Sequence, residues 1–265
     1  MVTLKLLIIF QIFFCTPLHV LTVPDHFSLQ GEFPTWIKAR DRMMLETSNV
    51  KNIDVVVALD GTEDYRKVMD AIFSAPKRDG MDATVISGNL SSRRNNLTSY
   101  YTATFAVDGI GFIAKYISFK NTAGPKNNQA VALRSSSDKS VFYRCGIFGY
   151  QDSLYAHSQR QFYRECRISG TVDFIFGYAA AVFQNCNILV KKGTPGQSNT
   201  ITAQGGMHDS TKPFGFSFQF CKISADHDLL PVVKSTQTYL GRPWKDHSKT
   251  IFMETYITNV LSAQG

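Results

Sequence analysis

Gly149 to Gly177, GYQDSLYAHSQRQFYRECRISGTVDFIFG, is the stretch whose reading decides the fold. Its pattern recurs on either side. Phe142-Tyr143-Arg144-Cys145-Gly146-Ile147 is echoed by Tyr163-Arg164-Glu165-Cys166-Arg167-Ile168, then by Phe183-Gln184-Asn185-Cys186-Asn187-Ile188 and Phe218-Gln219-Phe220-Cys221-Lys222-Ile223. Every copy sets an aromatic residue three places before a cysteine and an isoleucine two places after it. The cysteines step by 21, 20 and 35 residues. A period near 21 with one short aromatic and β-branched run per copy is the signature of a solenoid. The run is too short for a helical repeat, and its alternation of apolar with mixed positions has the period of a strand. These features predict a right-handed single-stranded parallel β-helix, all-β, with the 35-residue step absorbed by a loop thrown out from one coil.

In such a solenoid, residues one period apart stack on adjacent rungs at a strand spacing of roughly 4.8 Å. Asp152 and Asp173 are 21 apart, so their carboxyl groups should meet on one face. Gln151 precedes the first aspartate, and Gln129 lies 22 residues before Gln151, one coil further back. Solenoid turns use aspartate heavily, and a lone aspartate here would be read as a turn residue. Two stacked carboxyls beside two carboxamides favour a compact polar site instead.

Composition bounds the rest. The chain has 265 residues, 44% hydrophobic and 18% charged, which suits one globular domain with a short appendage. A net charge of +7 suggests a polyanionic partner. Nothing resembling an arginine-rich arm, zinc-finger spacing or RNA-binding motif is present, so nucleic acid ranks low. The six histidines are scattered without ligand spacing, and no metal or cofactor is predicted.

Lys5 precedes the apolar run Leu6 to Phe14, too short to span a bilayer and suited to an export signal. The expected layout is a signal peptide over 1–22, a leader or linker over 23–50 with a short helix after Pro34, and the β-helix over 51–265. The expected product is secreted, with no membrane anchor. Two sequons, at Asn89 and Asn96, agree with export and make the chain a candidate glycoprotein. Cys145, Cys166, Cys186 and Cys221 remain after Cys15 leaves with the signal. An oxidising compartment allows a rung-to-rung disulfide, Cys166 with Cys186 being the best placed, while a stack of free buried thiols is as good a reading. Ile53 to Leu59 reads as a strand, and Tyr65 to Ala75 as a helix capping the open end of the solenoid. Further rungs are expected at Ala83 to Ser87, Tyr101 to Val107, Phe112 to Phe119, Gln129 to Arg134 and Thr250 to Ile257.

Five blocks together resemble plant pectin methylesterases: NTAGP from Asn121, QAVALR from Gln129, GYQDSLY from Gly149, TVDFIFG from Thr171 and LGRPWK from Leu240. FPTWIKARDRMMLE, from Phe33, is similar to the junction before the catalytic domain in family members made with an inhibitor-like pro-region. The resemblance implies a secreted, cell-wall carboxylic ester hydrolase that demethylesterifies pectin. Asp173 is then the nucleophile, Asp152 the general acid and later base, and Gln129 and Gln151 the oxyanion donors. Arg242 and Trp244 line the substrate groove with Gln129, and Arg242 holds Asp173. Pectin is the implied partner, a proteinaceous pectinesterase inhibitor a further one, and the enzyme a monomer.

The chain departs from the family pattern in a shortened segment around 77–98 and in an early end after LGRPWK, both read as losses to the scaffold. A threonine that contacts substrate in the family corresponds to Ser99, or to Thr98 if the register slips. Two other functions stand beside the esterase. One is a non-catalytic, pectin-binding relative; the other is a polygalacturonase-like glycosidase, which also uses paired aspartates.

Overall fold

The computed structural model describes residues 8–10, 33–38, 42, 55–58, 81–82, 84–206 and 212–263. Among them the chain winds as a right-handed parallel β-helix with three sheets. One coil shows the plan. Ser140–Tyr143 lies in the first sheet, Gly146–Phe148 in the third and Leu154–Ala156 in the second, and Arg160–Arg164 returns to the first. Each strand pairs in parallel with its equivalents one coil before and after.

The repeat has a physical cause in the core. Phe142, Tyr163, Phe183, Phe218 and Phe252 stack ring over ring, with successive centroids 4.8, 4.8, 4.5 and 4.7 Å apart. That is the strand spacing itself. Ile147, Ile168, Ile188 and Ile223 form a parallel column with no exposed surface. Tyr163 is the polar member of the aromatic column. Its hydroxyl donates to Gln161 Oε1 at 2.7 Å, and Gln161 Nε2 donates to Ser135 O and Ser158 O.

Between the aromatic and the isoleucine the chain turns a corner on one residue. Tyr116, Arg144, Glu165, Asn185, Phe220 and Glu254 all sit there with φ between 46° and 57°. A left-handed residue bends the backbone sharply, and six stacked corners cost less than isolated ones because each is bonded to the next. The amide of Arg144 donates to Arg164 O, that of Glu165 to Gln184 O, and that of Asn185 to Gln219 O. The following cysteines are all free and buried. Cys166, Cys186 and Cys221 Sγ donate to Phe142, Tyr163 and Phe183 O on the preceding coil, at 3.3 to 3.5 Å. Of the two readings of the cysteines, the structure has the thiol stack; burial pushes Cys166 and Cys221 well above the ordinary thiol range.

The 35-residue step keeps its register, Val182 pairing with Ser217 and Ile188 with Ile223. Its extra residues fall in sequence on either side of Asn199–Gln204. Val55–Ala58 pairs in parallel directly with Thr84–Gly88, which pairs with Ile117–Asn121. The run expected as one rung over 112–119 is two strands, Ile113–Lys115 and Ile117–Asn121, on different sheets, because Tyr116 at φ 57° turns the corner between them. The predicted helix over 65–75 lies outside the described residues.

Two N-terminal pieces touch the solenoid. Ile8–Phe10, within the run read as an export signal, pairs antiparallel with Thr250–Phe252; the rest of that run lies outside the described residues. Phe33 to Ile37, read as part of a leader, lies on the outer face of the first sheet. Ile37 is buried beside Tyr116, Val141, Tyr143 and Phe162, Trp36 meets the Phe162 ring edge-on, and Arg164 covers Phe33. In this segment Ile37 N donates to Pro34 O, and Arg42 N, the one helical residue described beyond it, donates to Lys38 O.

Candidate active site

Asp152 and Asp173 sit at a second kind of corner, between the third sheet and the second. Leu154 pairs with Ile175, so the aspartates hold equivalent positions one rung apart, and Asp152 N donates to Val172 O at 3.0 Å. Both adopt left-handed backbone, φ 64° and 49°, which aspartate tolerates because its short side chain can bond locally. Two glycines frame this stretch for steric reasons. A Cβ on Gly170 would lie 2.6 Å from Tyr150 O, and one on Gly177, at φ 129°, would lie 1.9 Å from Ala156 O.

Alike in backbone, the carboxyls differ in neighbours. Asp173 is 7% exposed and takes a forked contact from Arg242, with Nε 2.9 Å from Oδ1 and Nη2 2.6 Å from Oδ2. Arg242 comes from 69 residues downstream, placed because LGRPWK runs along Asn199–Gln204. Arg242 N donates to Thr202 O and Trp244 N to Gln204 O. Asp152 is 5% exposed and meets no cation directly; Ser99 Oγ donates to its Oδ2 at 2.9 Å. Burial pushes the Asp152 carboxyl up to about 8, against the Ser99 hydrogen bond and with the help of the Asp173 charge. At neutral pH the pair therefore holds a protonated Asp152 beside an arginine-bound Asp173.

Gln129, Gln151, both aspartates, Arg242 and Trp244 line a single groove of about 360 Å³, which all six expected site residues thus share. Ser99, not Thr98, has its hydroxyl on the carboxyl, although both residues line the groove. Tyr155 and Phe176, three places after each aspartate, stack at 4.2 Å and 16° to make an aromatic floor. Trp244 stands on Phe176 and Tyr178 at 5.7 and 4.8 Å. Burial holds the Tyr155 phenol up at about 12, so this floor stays uncharged. It was hidden in plain view: Asp-x-x-Tyr and Asp-x-x-Phe repeat at the 21-residue step. Ser92, whose hydroxyl donates to Gln129 Oε1 at 2.5 Å, carried no sequence signal at all.

Comparison with known proteins agrees with this architecture. The pectinesterase family model matches residues 77–265. Pectinesterase/pectinesterase inhibitor PPE8B of Prunus persica is 51% identical over 267 residues, which is 89% of this chain and 51% of that protein. Pectinesterase 2 of Citrus sinensis is 44% identical over 90% of this chain and 51% of its own length. The chain thus spans about half the length of these curated relatives. Among solved structures, pectin methylesterase from carrot superposes with a TM-score of 0.69 at 43% identity, covering 82% of this chain and 77% of that one. Pectin methylesterase from Aspergillus niger gives 0.64 at 26% identity, covering 83% and 81%. This chain belongs to the pectinesterase family.

Proposed function

We propose that the chain is a carboxylic ester hydrolase that removes methyl groups from pectin, releasing methanol and pectate. The observation that carries this reading is the aspartate pair, one rung apart, with one carboxyl clamped by Arg242 and the other buried on the Ser99 hydroxyl, where burial favours its protonated form.

Asp173 is the nucleophile. Its carboxylate attacks the methyl ester carbonyl, and the forked arginine fixes its orientation for that attack. Charge then develops on the carbonyl oxygen, where the carboxamides of Gln129 and Gln151 supply hydrogen bonds. The Asp152 proton goes to the departing methoxide, so methanol leaves and an acyl-enzyme anhydride remains on Asp173. Asp152, now a carboxylate in a site that favours its protonated form, takes a proton from water; the hydroxide attacks the acyl carbon, and Asp173 is released. Arg242 and Trp244 offer a charge for pectin's free carboxylates and a flat face for a sugar ring. Ser99 occupies Asp152 Oδ2 and leaves Oδ1 to carry the transferable proton.

The reading extends to an exported monomer of the cell wall, with a proteinaceous inhibitor as a candidate partner. It rests there on the family and on the apolar run at Leu6 to Phe14. The test is methanol release from highly esterified pectin by the purified chain beside D173N. Methanol from the first and none from the second supports the esterase. New reducing ends without methanol would replace it with a glycosidase, and pectin binding without turnover with a non-catalytic relative.

A further inference from the structure

We infer that Ser92 is a positioning residue for Gln129, holding that carboxamide with its NH2 group turned to the groove. The inference rests on the esterase reading above, in which Gln129 donates to the oxyanion.

A glutamine side chain presents an acceptor at one end and two donors at the other, and only the donor end can stabilise an oxyanion. A free carboxamide in a groove would flip between the two. Ser92 breaks the symmetry, because its hydroxyl donates to Gln129 Oε1 at 2.5 Å and so directs Nε2 away from Ser92. Gln129 itself lines the groove, whereas Ser92 does not, so the serine acts through the glutamine and not on substrate.

The turn that carries Ser92 is built to hold it there. Ser91 is fully buried and caps the short helix Ser92–Asn95, its Oγ accepting from Arg94 N while its own N–H donates to Asn95 Oδ1. The same turn is tied to the Gln129 loop by two backbone bonds and one from a side chain. Ser92 N donates to Gln129 O at 2.8 Å, Arg93 N to Asn127 O, and the Arg93 guanidinium to Lys126 O at 3.1 Å. These bonds do not involve the Ser92 hydroxyl. Alanine at 92 keeps them, and a partly exposed first helical position accepts alanine without penalty. The substitution therefore removes the hold on Gln129 and little else.

The experiment measures kcat and KM for methanol release by wild type, S92A, S92T, Q129A and S92A/Q129A, with D173N as the inactive control. S92A should lower kcat about 10-fold, the worth of one neutral hydrogen bond, with KM within about 2-fold. S92T should restore most of the rate, and S92A should add nothing in the Q129A background. The Gln129 side-chain amide protons, read by 15N-resolved NMR, should form a distinct and slowly exchanging pair in wild type and S92T and lose that distinction in S92A. An S92A rate within 2-fold of wild type overturns the inference while wild-type activity leaves the esterase reading intact. So does an S92A loss that persists undiminished in Q129A. Should wild type release no methanol, the esterase reading fails, and with it the catalytic purpose given to Ser92; an unchanged Gln129 amide pair in S92A would then overturn the orienting contact as well.

Discussion

Asp152→Asn separates the proposed acid from an ordinary carboxylate without reference to substrate. An unfolded aspartate titrates near 3.9, and folded Asp152 is held at about 8 by burial. As pH climbs past 4 the unfolded state releases this proton while the folded state keeps it. Stability that is fully present below about pH 4 is therefore lost as pH rises toward 8, the sign expected for any raised group. Each pH unit inside that window costs about 1.4 kcal/mol. Between pH 4.5 and 7.5 the buried acid thus removes about 4 kcal/mol from the wild type. Asparagine has no proton to release, keeps nearly the same shape, and still offers an oxygen to the Ser99 hydroxyl. The stability of D152N relative to wild type should therefore rise by about 4 kcal/mol across that range, or roughly 10 °C in melting temperature for a domain of this size.

Urea unfolding of both proteins at the two pH values, followed by circular dichroism, measures the gap. Titrating groups not coupled to Asp152 are common to the pair and cancel in the difference. An unchanged urea slope would confirm that only stability moved. A gap that stays within about 1 kcal/mol from pH 4.5 to 7.5 refutes the reasoning. It would mean that Asp152 ionises as freely as in the unfolded chain and cannot be the proton donor.

In the proposed reaction the same group should set the alkaline limit of turnover. kcat/KM for methanol release should fall tenfold per pH unit above about 8, as free enzyme loses the Asp152 proton, and a flat profile to pH 10 would exclude it as the acid. Arg242→Lys keeps the charge beside Asp173 but not the fork, and kcat should drop about 100-fold, measured against KM in the same titration. Tyr163→Phe adds no volume to the ring column but strands Gln161 Oε1 in a dry core. It should cost about 1–3 kcal/mol in urea titrations, and a neutral result would mean that Gln161 had found another donor.

Much of the fold is legible in the chain because its core is translational. One aromatic, one cysteine and one isoleucine occupy the same three positions on each of the four repeat coils, so sequence period and spatial period coincide. The aspartate pair is legible for the same reason. What breaks the period is harder to see. Phe33 to Ile37 reads in the sequence only as leader with a short helix after Pro34, and its burial depends on Val141, Tyr143 and Phe162, which become one surface only after the coils stack. Two short strands meeting at Tyr116 look like a single run, because a non-glycine residue in left-handed backbone leaves no mark in composition.

The proposed division of labour between the aspartates is the part that no local pattern could contain. Asp152 and Asp173 share a backbone conformation, a rung position and nearly the same burial. Their chemistry diverges through two residues delivered from opposite ends of the domain. Ser99 arrives from a 3-10 turn 53 residues before Asp152 and brings a neutral hydroxyl; Arg242 arrives 69 residues after Asp173 and brings a charge. A hydroxyl bonds a carboxyl in either protonation state, whereas a forked guanidinium favours the ionised one. Burial already disfavours charge on Asp152 and the neighbouring Asp173 charge adds to it, so with the arginine on Asp173 it is Asp152 that keeps the proton. The proposed assignment of nucleophile and acid therefore depends on Ser99 and Arg242, neither of which belongs to the repeat that builds the site.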